Sequence, residues 1–98
     1  MNYEIEYTEQ AQHDLEWLKR NDLVRVLSAI GEQLRFEPAI ETRNRKRLRP
    51  NATADWELRV GVFRVLYDVD EVVRIVEIQR VGAKPNSRYV FRGGEQDL

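Results

Sequence analysis

The stretch from Asp55 to Arg80, DWELRVGVFRVLYDVDEVVRIVEIQR, leaves a chain that contains it few ways to fold. Trp56, Leu58 and Val60 alternate with Glu57 and Arg59, the period-two pattern of a half-buried strand. Gly61 permits a turn with positive φ, and Val62 to Val69 is a second run rich in β-branched and aromatic residues. Asp70-Glu71 is a polar break before a third run, Val72 to Val81. Three strands joined by two tight turns make an antiparallel meander whose register is set locally.

That register is explicit. With Gly61-Val62 as a two-residue turn, Val60 faces Phe63, Arg59 faces Arg64, Leu58 faces Val65 and Trp56 faces Tyr67. With Asp70-Glu71 as the second turn, Val69 faces Val72, Val65 faces Val76, Arg64 faces Glu77 and Phe63 faces Ile78. One face then gathers Trp56, Leu58, Val60, Phe63, Val65, Tyr67, Val69, Val76 and Ile78 as a core. The other carries Glu57, Arg59, Arg64 and Glu77, with Leu66, Val73 and Ile75 as an aliphatic patch towards one end. A slip of one residue would invert every side chain, so burial of one face fixes the pairing.

The second face is the informative one. Like charges directly opposite each other destabilise a sheet, and Arg59 faces Arg64. Either Glu57 and Glu77 neutralise the pair on a solvated face, or the two guanidinium groups serve a phosphate, to which they offer planar bidentate donors.

The remainder of the chain supplies a cover and a charge. Tyr3, Ile5 and Tyr7 alternate with Glu4 and Glu6, a strand over Asn2 to Tyr7. Thr8 suits an N-cap, and Ala11, Leu15 and Leu18 form a helical stripe to about Arg20. Asn21-Asp22 breaks and re-caps the chain. Leu23, Val26, Leu27, Ile30 and Leu34 then predict a second helix ending near Phe36, because Pro38 pushes Glu37 out of the α region. Both stripes are core, and His13, the single histidine, falls on the surface. From Glu37 to Ala54 nothing is periodic, a long connection for a compact domain. It carries Arg43, Arg45, Lys46, Arg47 and Arg49, with Leu48 as a peg to the sheet. Arg88 to Arg92 suggests a short final strand, and residues 93–98 a mobile tail.

Net charge is −1, yet residues 1–42 hold four basic against nine acidic side chains, and residues 43–92 twelve against six. Such segregation points to a polyanionic partner for the basic half. Of the sixteen basic residues thirteen are arginine, which favours phosphate contact. With no cysteine and one histidine, thiolate chemistry is excluded and neither a transition-metal site nor any other cofactor is expected. No run is long and apolar enough for a membrane span and no signal peptide is evident, so the expected location is the cytoplasm, with no membrane partner.

The residues Lys46-Arg47-Leu48, Trp56 to Tyr67, and Val81-Gly82-Ala83-Lys84 through Tyr89 resemble the RelE/ParE toxin superfamily of bacterial toxin–antitoxin systems over nearly the whole chain. The resemblance implies an α+β fold in the order β-α-α-β-β-β, two N-terminal helices on an antiparallel sheet, in one domain over residues 1–92. RelE-branch members are ribosome-dependent endoribonucleases that cleave mRNA in the A site. Arg59, Arg64, Lys84 and Tyr89 fall at that branch's catalytic positions. The charge run of Arg43, Arg45, Lys46, Arg47 and Arg49 is either simply solvated or, since it leads into the strand bearing Arg59, the RNA-binding wall of one groove. Glu57 stands where RelE-type toxins often carry lysine, Lys84 where they carry arginine, and the first hairpin is shorter. The implied partners are a cognate antitoxin, in a heteromeric complex, and the ribosome with its mRNA. ParE-branch members instead poison DNA gyrase and need none of the RNase residues. A non-toxic basic RNA-binding domain is the third possibility.

The chemistry also stands apart from the family. RNA is cleaved without a metal when the ribose 2′-OH attacks the adjacent phosphate, given a base, an acid and positive charge for the transition state. Arg59 and Arg64 suit the charge, Arg64 more firmly if Glu77 orients it. Lys84 suits phosphate positioning or the acid, Tyr89 base stacking or proton handling. Glu57 suits either a base or a salt-bridge partner of Arg59.

Overall fold

In a computed structural model, describing residues 2–98, the first hairpin has the expected register. Strand β3 (Trp56–Val60) pairs with β4 (Phe63–Asp70) so that Val60, Arg59, Leu58 and Trp56 face Phe63, Arg64, Val65 and Tyr67. Gly61 sits in the turn at φ 60°, where a side chain would be strained.

The second hairpin departs from expectation. Strand β5 runs from Ile75 to Ala83, and Asp70 faces Ile75 across a four-residue turn. Asp70 Oδ1 accepts from the amides of Val72 and Val73 at 3.0 and 3.2 Å, an Asx turn that competes successfully with a tighter one. Arg74 closes it at φ 61°. The pairing therefore slides by four residues, an even number, so Val76 and Ile78 stay in the core but Glu77 faces Asp68, not Arg64. A bulge at Leu66/Tyr67 then shifts the remainder by one, Arg64 faces Gly82, and Val81 joins the core.

Around this meander lie β1 (Glu4–Tyr7), α1 (Glu9–Glu16) and α2 (Arg20–Leu34). Strand β1 runs parallel to the first half of β5. Thr8 caps α1 by accepting from the Ala11 amide at 3.1 Å. The helix break falls at Trp17 to Lys19, earlier than Asn21-Asp22, whose side chains instead lie in the first turn of α2. Val26, Ile30 and Leu34 bury against Trp56, Leu58, Val65, Tyr67, Val76 and Ile78, the core face read from the alternation. Tyr67 hydroxyl donates to the Pro38 carbonyl at 2.8 Å.

Among the described residues three further strands, β2 (Arg45–Arg47), β6 (Tyr89–Phe91) and β7 (Gly94–Gln96), enlarge the sheet to seven, in the order β2-β3-β4-β5-β6-β7, with β1 beside β5. The basic connection contains β2, antiparallel to β3. The expected final strand is β6. Gly94–Gln96, expected in a loose tail, forms β7 and pairs with β6. The expected exposed patch of Leu66, Val73 and Ile75 is absent, because Leu66 is fully buried in a second small core with Leu48, Ala54, Tyr89 and Phe91. Among the described residues no helix is long and apolar enough to cross a membrane.

A buried carboxylate fastens the C-terminal hairpin. Asp14 Oδ2 accepts from Arg80 Nε at 2.7 Å and the Val81 amide at 3.0 Å, and Oδ1 lies 2.9 Å from Arg92 Nε. Position 14 lies within the apolar stripe of α1, where an acid is buried only if paired.

Candidate nucleic-acid groove

On the second face of the sheet, β2, β3 and the C-terminal hairpin enclose an open groove of about 640 Å³. Its cations are Lys46 from β2, Arg49 from the following loop, Arg59 from β3 and Lys84 after β5, with Arg47 of β2 at its edge, where the guanidinium lies 5.6 Å over the ring of Trp56. Asn51 shapes the loop by donating to the carbonyls of Arg49 and Ala54 while accepting from the amides of Thr53 and Ala54. Glu57 and Tyr89 lie within the lining.

Glu57 is the centre of the site, with only 3% of its surface exposed. Tyr89 hydroxyl donates to its Oε1 at 2.6 Å. Arg64 Nε lies 3.5 Å from Oε1, and Arg59 Nε 3.9 Å from Oε2. One carboxylate thus relieves the facing arginines, the role shared in expectation with Glu77. Glu77 instead accepts from Gln79, which also donates to Asp68.

The two arginines then diverge. Arg64 Nη1 donates to the carbonyls of Gly61 and Phe63 at 2.7 and 2.8 Å, so its guanidinium folds over its own turn and does not line the groove. Arg59 is 41% exposed and faces the groove. Tyr89 is buried, with Lys84 Nζ 4.5 Å above its ring and Phe91 stacked at 5.9 Å, so it offers no free face to a base. Burial pushes its hydroxyl pKa up, and the hydrogen bond and charge of Glu57 push it further against the weaker pull of Arg64 and Arg59. The hydroxyl therefore stays protonated and acts as a donor. Gly82 allows this arrangement, since a Cβ there would lie 2.5 Å from the Val90 carbonyl and the Phe91 ring, holding β6 away.

The structure sorts the basic loop as well. Lys46 and Arg49 line the groove with Arg47 at its edge, while Arg43 is exposed outside it. Arg45 is buried, donating to the carbonyls of Ile40 and Gln33 at 3.0 and 2.7 Å, so it braces the fold where an RNA contact was expected.

An α+β sheet with two helices on one face and a basic, carboxylate-floored groove on the other defines the class. No protein-family profile matches the chain. No curated protein sequence matches it either. Among solved structures it resembles the toxin–antitoxin complex RelBE2 from Mycobacterium tuberculosis, with 30% identity over 85% of this chain and 99% of that one and a TM-score of 0.73. It has the same fold as a chain in the archaeal RelE–RelB complex from Pyrococcus horikoshii OT3, at 22% identity, 88% and 99% coverage, and a TM-score of 0.70. The chain belongs to the RelE-like toxin superfamily.

Proposed function

We propose that this chain is the toxin of a type II toxin–antitoxin system and a cytoplasmic, ribosome-dependent endoribonuclease that cleaves mRNA and arrests growth. Its proposed partners are a cognate antitoxin and the translating ribosome. The observation that carries the RNase reading is one buried carboxylate, Glu57, set among the groove cations and held by Tyr89.

Each group then has a task. The cations bind the RNA backbone, Lys46, Arg47 and Arg49 at a distance from the scissile phosphate and Arg59 and Lys84 beside it. Glu57 accepts the 2′-OH proton as the 2′-oxygen attacks phosphorus. Arg59 stabilises the extra negative charge as it develops. The bond to the 5′-oxygen breaks, and that oxygen takes a proton from Lys84, leaving a 2′,3′-cyclic phosphate and a 5′-hydroxyl. Tyr89 and Arg64 orient Glu57.

The test is a purified translation system. Added toxin should stop synthesis and leave mRNA fragments ending in a cyclic phosphate. Intact mRNA together with blocked gyrase supercoiling would support a ParE-like gyrase inhibitor; inertness towards both would leave a non-toxic RNA-binding domain.

A further inference from the structure

On the opposite side from the groove, Trp17 stands at the end of α1 with 65% of its surface exposed. Exposed tryptophan is costly to leave in water and is enriched at binding hot spots. Its indole is laid against Gly93, where a Cβ would come within 3.3 Å of the ring. The indole is therefore seated on backbone and borders a cavity of about 160 Å³ lined by Leu18, Phe63, Val81 and Val90. Val62, in the turn before Phe63, is 46% exposed.

Cations rim this apolar surface. Lys19 and Arg20 follow Leu18 and are exposed, Arg92 lines the cavity, and the Arg25 guanidinium lies over Gly61 beside Val62. Among the described residues Lys19, Arg20 and Arg25 enter no ion pair. Of the nearby acids, Asp14 is engaged with Arg80 and Arg92 and Glu16 with His13 at 3.2 Å, which leaves Asp22 in the first turn of α2 as one carboxylate against three cations. The surface thus presents an apolar socket, a preset indole and an excess of positive charge.

We propose that this surface docks a segment of the antitoxin in which an aliphatic or aromatic side chain enters the cavity beside Trp17 and flanking carboxylates meet Lys19, Arg20 and Arg25. A nucleic acid would use the exposed indole and the cations but has no use for an aliphatic socket, so the lining favours a peptide. The inference rests on the antitoxin partnership proposed above. It also places a docking point away from the groove.

The experiment uses the two tryptophans. Trp56 is buried and Trp17 exposed, so iodide quenching of the free protein reports Trp17. Adding the cognate antitoxin should remove the quenchable fraction. Trp17→Ala should weaken the complex at least tenfold and Trp17→Phe restore most of it, while mRNA cleavage by free toxin is unchanged. The proposal is overturned if Trp17 stays quenchable in a formed complex and Trp17→Ala binds like wild type. It is equally overturned if Trp17→Ala loses ribosome binding while keeping the antitoxin, or if rising toxin concentration alone shields Trp17. If the wild type binds no antitoxin at all, the partnership itself fails and this surface with it.

Discussion

Glu57 sets the behaviour of its neighbours one residue at a time. A buried carboxylate needs partners, and here a tyrosine donates while two arginines supply charge. Tyr89→Phe removes the short bond and should cost about 1–3 kcal/mol in urea unfolding, more than the loss of an exposed hydroxyl. The raised pKa values of Tyr89 and Tyr67, both caused first by burial, carry a sign. Below the ordinary tyrosine value near 10 both states are protonated and the stabilisation is complete. As pH climbs past that value only the unfolded chain ionises, so stability should fall steadily. Melts across this range, followed by tyrosinate absorbance, should show two tyrosines ionising only with unfolding. Ordinary titration of all four in the folded protein would contradict the buried Tyr89–Glu57 bond.

At the scale of elements, hydrophobic period decides what was legible. The β3–β4 hairpin, both helices and the core face followed from alternation and stripe. Strand β2 did not, because Arg45-Lys46-Arg47 carries no apolar signal and is held by the neighbouring β3 backbone. The β4–β5 slide was hidden in one side chain, since Asp70 caps its own turn. The groove cations were legible as a charge run, but the separation of Arg45 from Arg47, or of Arg64 from Arg59, depends on carbonyls brought in from elsewhere. Tyr89 over Glu57 depends on the C-terminal hairpin closing, and Asp14 is the clasp. Its one sequence signal was an acid inside an apolar stripe. Asp14→Ala strands the largely buried Arg80 and should cost about 3–5 kcal/mol. Gly82→Ala should cost about 1–3 kcal/mol by overpacking and also free Tyr89 to ionise normally. Wild-type stability in both variants would mean the hairpin is held otherwise.

Over the whole molecule, the cations that line the groove beside β3 all come from the basic C-terminal half of the chain. Binding to RNA should therefore be steeply salt-dependent. Replacing Lys46, Arg47 and Arg49 together with alanine should lower the slope of log affinity against log salt by roughly 2 for single-stranded RNA. Replacing Glu57 should leave that slope alone. Binding and chemistry are thus carried by different residues of one groove. The most direct measurement is single-turnover cleavage of A-site mRNA on purified, saturating ribosomes by wild type, Glu57→Gln and Arg59→Ala. Wild type should cleave, and each variant should lose roughly a hundredfold or more in rate with ribosome binding retained. Wild-type rates in both variants, or mRNA left intact by the wild type, would contradict the proposed chemistry.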